Sequence, residues 1–251
     1  MIARLIILSL CLSLSLYAHN HYQVEQINIK HAPEVNDLDF WLKLSKKNCQ
    51  KDRTIQAFYT KDRIFIQLSI PSPKEALKHK QWQEVDKKIT LSKERENELH
   101  LIISKVDSDL TFSDYWFWSS VRTHRYGYAD DRRLEWQSKN TQKDSKTETE
   151  TINAKAIADS GKAPYSYQSN STLIPLRQES HKQQSASASR ANVRVTGEWQ
   201  HSTWKLLFSR KLNTLENDDI PFIVGGKYLL QIKNEQGKLD TLTTLTILPS
   251  Q

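Results

Sequence analysis

Glycine is scarce in this chain of 251 residues: it occurs six times, at Gly127, Gly161, Gly197, Gly225, Gly226 and Gly237. None of these falls into GxGxxG or GxxxxGKS/T, so a Rossmann dinucleotide loop and a Walker phosphate loop are excluded in their usual forms. A GxSxG elbow and an HExxH helix are also missing. The two cysteines, Cys11 and Cys49, cannot supply CxxCH or an iron–sulfur ligand set, which excludes covalent c-type haem. Methionine occurs once, at Met1. Apart from the N-terminal segment, no apolar run approaches the ~20 residues of a membrane-spanning helix. No nucleophile–base pair stands at recognisable spacing, which argues against a hydrolase.

Charge is plentiful but mixed. The formal net charge is +7, and basic and acidic clusters alternate, as in Lys87-Lys88 followed by Glu94, Glu96 and Glu98. A basic chain of this kind suits an anionic surface or an acidic partner. It shows no arginine-rich face interleaved with aromatics, so nucleic acid is not the expected partner.

The N-terminus has the layout of a secretory leader: a short positive Met1–Arg4, an apolar Leu5–Leu16, the small Ala18 after Tyr17, then polar His19-Asn20-His21. Residues 1–18 are expected to be a signal peptide, leaving an exported, periplasmic-type protein with no integral membrane span. An uncleaved anchor is the competing reading. With Cys11 removed, Cys49 is a lone thiol without an intramolecular disulfide partner.

Beyond the leader the hydrophobic period is mostly two. Thr54–Tyr59 and Arg63–Ile70, separated by Lys61-Asp62, read as a β-hairpin closed off by Pro71 and Pro73. Lys74–Gln83 is expected to form a short helix. Leu99–Ile103 reads as a buried strand and Tyr115–Trp118 as an aromatic one. Val193–Trp199 with Trp204–Arg210 forms a second hairpin, and Tyr228–Ile232 and Leu242–Leu248 complete the set. About eight strands without a strong amphipathic helix predict an all-β, antiparallel, immunoglobulin-like β-sandwich. Residues 19–251 are read as one such domain. Within it, residues 138–192, rich in Ser, Thr, Gln, Lys and Ala, bury too little apolar surface to offset chain entropy and are expected to be a flexible insertion.

One stretch is distinctive: Asp114-Tyr115-Trp116-Phe117-Trp118-Ser119-Ser120-Val121-Arg122, then Tyr126-Gly127-Tyr128-Ala129-Asp130-Asp131. It resembles the D-x-W-x-W-x-x-x-R … G-Y-A-D-D signature of the ethylbenzene dehydrogenase-related haem-binding domains, which are DOMON-like β-sandwich modules. Collinear pieces agree in order: His31–Trp41 as an opening strand, Ile55–Ile70 as a hairpin, Pro71–Glu75 with Trp82, and Gly197-Glu198-Trp199 with Trp204–Leu212. Asp218-Asp219, Phe222 and Gly226-Lys227-Tyr228 continue the likeness, which covers nearly the whole mature chain.

The resemblance implies a b-type haem serving electron transfer, as a carrier or accessory subunit rather than as an enzyme. The redox partner would be a molybdenum oxidoreductase or a cytochrome. The family uses an axial Met on a mid-chain strand and a Lys near the C-terminus. Here the Met position falls near Ile102, which cannot ligate iron. His100, two residues earlier, shares its face in a strand and could substitute; an ordinary half-buried histidine is the other reading. Lys238 stands close to the family lysine; it would ligate only as a neutral amine, and a solvated turn lysine is the alternative. Lys233 is a further candidate. Trp116 and Trp118 share a face and could line a haem slot or fill the core. Asp130 and Asp131, adjacent in sequence, point apart and are expected to bridge to arginines such as Arg132, Arg133 or Arg122 rather than to bind one metal. A haem-free sandwich that binds a partner protein or a carbohydrate is the second functional expectation.

Overall fold

Period-two patterning decides the architecture. In the computed structural model, which describes residues 20–26, 54–106, 112–139, 151–169, 178–234 and 239–249, the chain forms sixteen strands. They are β1 (Asn20–Gln26), β2 (Thr54–Tyr59), β3 (Arg63–Pro71), β4 (Gln81–Val85), β5 (Lys88–Leu91), β6 (Glu98–Lys105), β7 (Phe112–Ser119) and β8 (Asp130–Lys139). They continue with β9 (Thr151–Ala158), β10 (Tyr165–Tyr167), β11 (Gln178–Glu179), β12 (His181–Gln183), β13 (Arg194–Gln200), β14 (Thr203–Lys211), β15 (Lys227–Asn234) and β16 (Leu239–Ile247). No α-helix occurs among the described residues, and none there could cross a membrane.

The long sheet runs β13-β14-β3-β2-β1-β16-β15-β6-β7-β8-β9. It is antiparallel except at β1, which pairs parallel with both β2 and β16. The two halves on either side of β1 face each other as a sandwich. From one half Ile64, Ile66, Leu68, Trp204, Leu206 and Phe208 point inward; from the other come Leu99, Leu101, Ile103, Trp116, Trp118, Tyr228 and Leu230. Trp116 stacks on Phe208 at 6.3 Å between ring centroids, and Trp118 meets Trp204 edge-on at 5.1 Å. Both expected hairpins form, and the second closes through His201-Ser202, both at positive φ, the backbone of a tight two-residue turn.

The outer face of the β15-β6-β7-β8 half carries a third layer made of β11-β4-β5 and β10-β12. Lys74–Gln83 is not the expected helix. Residues through Lys80 follow an irregular path held by contacts from outside: Ala76 donates its N–H to Asn97 Oδ1 at 3.0 Å, and Ser120 Oγ donates to the Ala76 carbonyl at 2.6 Å. Gln81 then starts β4, which pairs with β5 across Asp86-Lys87.

Residues 138–192, read from sequence as a flexible insertion, are built into the fold in their described parts. β9 lies along β8 from Arg132 to Lys139, and Ser189 and His181 are buried. Polar contacts do this work. Arg190 grips Asp130 with Nε–Oδ1 and Nη2–Oδ2 both at 2.7 Å, and Ser189 Oγ donates to Asp218 at 2.9 Å. Counting apolar residues cannot reveal such anchoring. The leader, the His31–Trp41 stretch and Cys49 lie outside the described residues.

Candidate functional site

Alternation along β7 sends its aromatics to two places. Trp116 and Trp118 enter the core; Tyr115 and Phe117 stand on the opposite face, under the third layer. Register completes that face: His100 pairs with Phe117, Ile102 with Tyr115, and Tyr115 with Arg132. His100 therefore stacks beside Tyr115 and Phe117, with ring centroids 5.7 and 5.3 Å away.

A cavity of about 490 Å³ lies between this face and the covering layer, within the range of small-molecule sites. The sheet supplies Glu98, His100, Tyr115, Phe117 and Arg132; the turn after β7 supplies Arg122. The cover supplies His79, Lys80, Trp82, Leu91, Tyr167 and Gln168. The guanidiniums of Arg122 and Arg132 sit over the Phe117 ring at 4.8 and 5.1 Å, close enough for cation–π attraction.

Buried ion pairs fix these groups. Glu96, with 1% of its surface exposed, accepts the backbone N–H groups of Val121 and Arg122 at 2.8 and 3.0 Å and the Arg122 side chain. Burial alone would raise its pKa; His79 and Arg122 outweigh burial and hold the carboxyl down at about 2. Arg122 also binds Glu98 and Tyr167. Glu98 moves the other way, because burial outweighs Arg122 and pushes it up. His79 Nδ1 lies 2.9 Å from Glu96 Oε1, and the His79 carbonyl takes a bond from Ser180 Oγ at 3.3 Å. His79, Glu96 and Glu98 are close enough to ligate one ion, but Arg122 is already paired with both acids.

His100 is the chemically available group. Burial, and then the charges of Arg132, Lys233 and Arg122, lower its pKa to about 4, so the imidazole is neutral at physiological pH. Nδ1 lies 2.6 Å from the Tyr115 hydroxyl, while Nε2 is 4.0 Å from Glu98, beyond hydrogen-bond reach. In the tautomer whose Nδ1–H donates to Tyr115, Nε2 presents a lone pair. Lys233 pairs with His100 across β15 and β6. The two therefore leave the same wall and cannot take opposite sides of one planar ligand. Lys238 lies outside the described residues.

Of the residues singled out from sequence, His100 thus faces the cavity while Trp116 and Trp118 do not share it. They fill the sandwich interior with Phe208, Phe222 and Trp204. The sequence reading missed Tyr115, Phe117, His79 and Arg132 as cavity residues. Strand alternation in Asp114–Trp118 was the signal, since whichever face takes Trp116 and Trp118, the other takes Tyr115 and Phe117. Asp130 meets Arg132 with Nε–Oδ2 at 2.7 Å, as the spacing suggested, and Asp131 points the other way. No family model matches the chain, and no curated protein matches it.

Proposed function

We propose that the chain is an exported b-type haem-binding β-sandwich that serves electron transfer, as a carrier or accessory subunit of a periplasmic redox system. The observation that carries this reading is His100: neutral, half-buried, anchored at Nδ1 by Tyr115 and facing a cavity walled by Phe117, Trp82 and Leu91. The residues fit the group. His100 would hold iron through Nε2, and His79 is the imidazole that lines the cavity from the covering layer. Lys80 lines the cavity, and Arg122 and Arg132, already paired with Glu96, Glu98 and Asp130, add hydrogen-bond donors that suit the carboxylates of a porphyrin. The bound group would supply one-electron chemistry; the protein supplies the ligand, an apolar wall and charge compensation.

The sandwich interior does not serve this purpose, because its aromatics fill it. The seat is the outer face of β6 and β7, not the slit between the layers. A redox protein such as a molybdenum oxidoreductase or a cytochrome is the partner this reading implies. The full chain, produced with haem supplied, should show a Soret band that His100→Ala abolishes or shifts. A folded protein with no Soret band overturns the proposal. The alternation of aromatic faces with Gln168, Glu98 and Arg122 around the cavity also suits a carbohydrate. Saturable sugar binding by haem-free protein would establish that second reading.

A further inference from the structure

At one edge of the core, away from the His100 cavity, carboxylates accumulate without enough positive charge. Asp114 on β7 and Asp131 on β8 have no exposed surface, and Asp219, in the loop before β15, has 5%. Oxygens of the three lie within 4.8 Å of one another. Asp159, after β9, and Asp218 form a second such group that shares Asp219.

One cation enters. Arg210 reaches from β14 to Asp114, to Asp219 Oδ1 at 3.4 Å and to the Ile220 carbonyl. Its Nη1 and Nη2 are engaged there, while Nε has no partner among the described residues. Asn192 Nδ2 donates to Asp219 Oδ2 at 2.9 Å, and Ser160 and Ser189 satisfy Asp218. Asp131 is left out: neither of its carboxylate oxygens has a partner among the described residues, nor does Asp114 Oδ1, nor either oxygen of Asp159.

Three carboxylates against one guanidinium leave a formal charge of −2 in the first group. A buried, unpartnered carboxylate must be neutralised by a proton or a cation. Burial together with the neighbouring acids pushes Asp131 far above the ordinary carboxylate range and Asp159 to about 8, the response expected of a cage that lacks a positive charge.

We propose that Asp114, Asp131 and Asp219 bind one divalent cation of the calcium class, with Asp159 as an adjoining ligand or counter-charge. One such ion cancels the charge that Arg210 leaves over. The donors are all carboxylate oxygens, without sulfur or imidazole, which selects a hard cation. The cage mixes side chains from two strands and two loops, an irregular arrangement that suits the larger, more flexible coordination of calcium. Magnesium demands near-octahedral geometry and retains water. The ion would tie the end of β9 and the Asp218-Asp219 loop to the sandwich at β7 and β8. This site is independent of haem.

The test uses the full chain, freed of metal with a chelator and titrated with calcium chloride alone. Calorimetry should give saturable binding of about one ion per chain, in the range of roughly 0.1–1 mM or tighter. Tm should rise by about 5 °C or more at about a hundredfold excess over the dissociation constant. Terbium should replace calcium and luminesce through Trp116, whose ring carries Arg210 at 5.4 Å. Asp131→Asn keeps the shape and removes an uncompensated charge. It should leave the metal-free Tm equal to or above the parent's, weaken calcium by more than about 100-fold and abolish terbium luminescence. Asp159→Asn should weaken calcium by about tenfold. Absence of binding and of any Tm shift at about 1 mM calcium overturns the proposal, as does parental affinity in Asp131→Asn. Magnesium binding as tightly as calcium overturns the assignment to the calcium class.

Discussion

Arg210 and Asp114 form an ion pair with no exposed surface on either side chain, joining β14 of one layer to β7 of the other through the core. Cutting one side of such a pair strands the other charge. Arg210→Met should therefore cost about 3–5 kcal/mol, read from the midpoint of urea unfolding at constant m-value. The loss should exceed that of Arg133→Met, since the Arg133–Glu135 pair is about one-third exposed and worth little.

Glu96 gives a pH signature. Its folded pKa, about 2, lies below the ordinary 4.5. A depressed carboxyl stabilises the fold above its unfolded pKa and loses that contribution as pH falls through its folded one. Stability should drop between about pH 4.5 and 2 by an amount of order 3 kcal/mol from this group. Glu96→Gln should flatten that part of the curve while lowering stability at pH 7. Equal acid slopes for parent and variant would contradict the assignment.

Histidine substitutions separate the two walls of the cavity. With haem supplied, His100→Ala should lose or strongly shift the Soret band. Tyr115→Phe should keep the band with weaker binding, because the ring is no longer oriented through Nδ1, a change of about 10–100-fold in affinity. His79→Ala should change the spin state more than the occupancy. Loss of all signal in His79→Ala with none in His100→Ala would reverse the roles.

Trp116 and Trp118 are core residues, so Trp116→Phe should lower stability by about 1–3 kcal/mol and leave any cavity ligand bound. Thermal melts and a ligand titration on the same sample check both halves of this expectation.

Gly161 has φ +97°, and a Cβ there would run into the Ser187 backbone and the Ala188 side chain. Gly161→Ala should cost about 1–3 kcal/mol and loosen the segment around β10 and β12, seen as faster amide exchange at Tyr165–Tyr167.

The sandwich was legible because each main strand carries its own alternation: Ile64, Ile66 and Leu68 on one face of β3, Trp204, Leu206 and Phe208 on one face of β14. Local pattern failed where order is imposed from elsewhere. Residues 74–80 are irregular rather than helical because Asn97 and Ser120 hold Ala76 from outside, and nothing within that segment announces it. The described parts of residues 138–192 stay in place through Arg190, Ser189 and a ladder with β8. The cavity was half legible. His100 stood out as a histidine in an apolar strand, but its companions needed the register between β6 and β7. The acidic cage was least legible, since Asp114, Asp131, Asp159 and Asp219 converge from four separate places in the chain.

The seam between the two layers also constrains how the molecule is made. β1 pairs with β16, bringing Asn20 beside Thr243, and with β2 on its other side. The first and last described strands thus join the two halves of the sheet, a contact of very high sequence separation that penalises folding speed. Until β16 emerges, both halves present raw strand edges, the surfaces most prone to pairing with another chain. A truncation that removes β16 should therefore show up as aggregation during synthesis rather than as a slightly weakened native state.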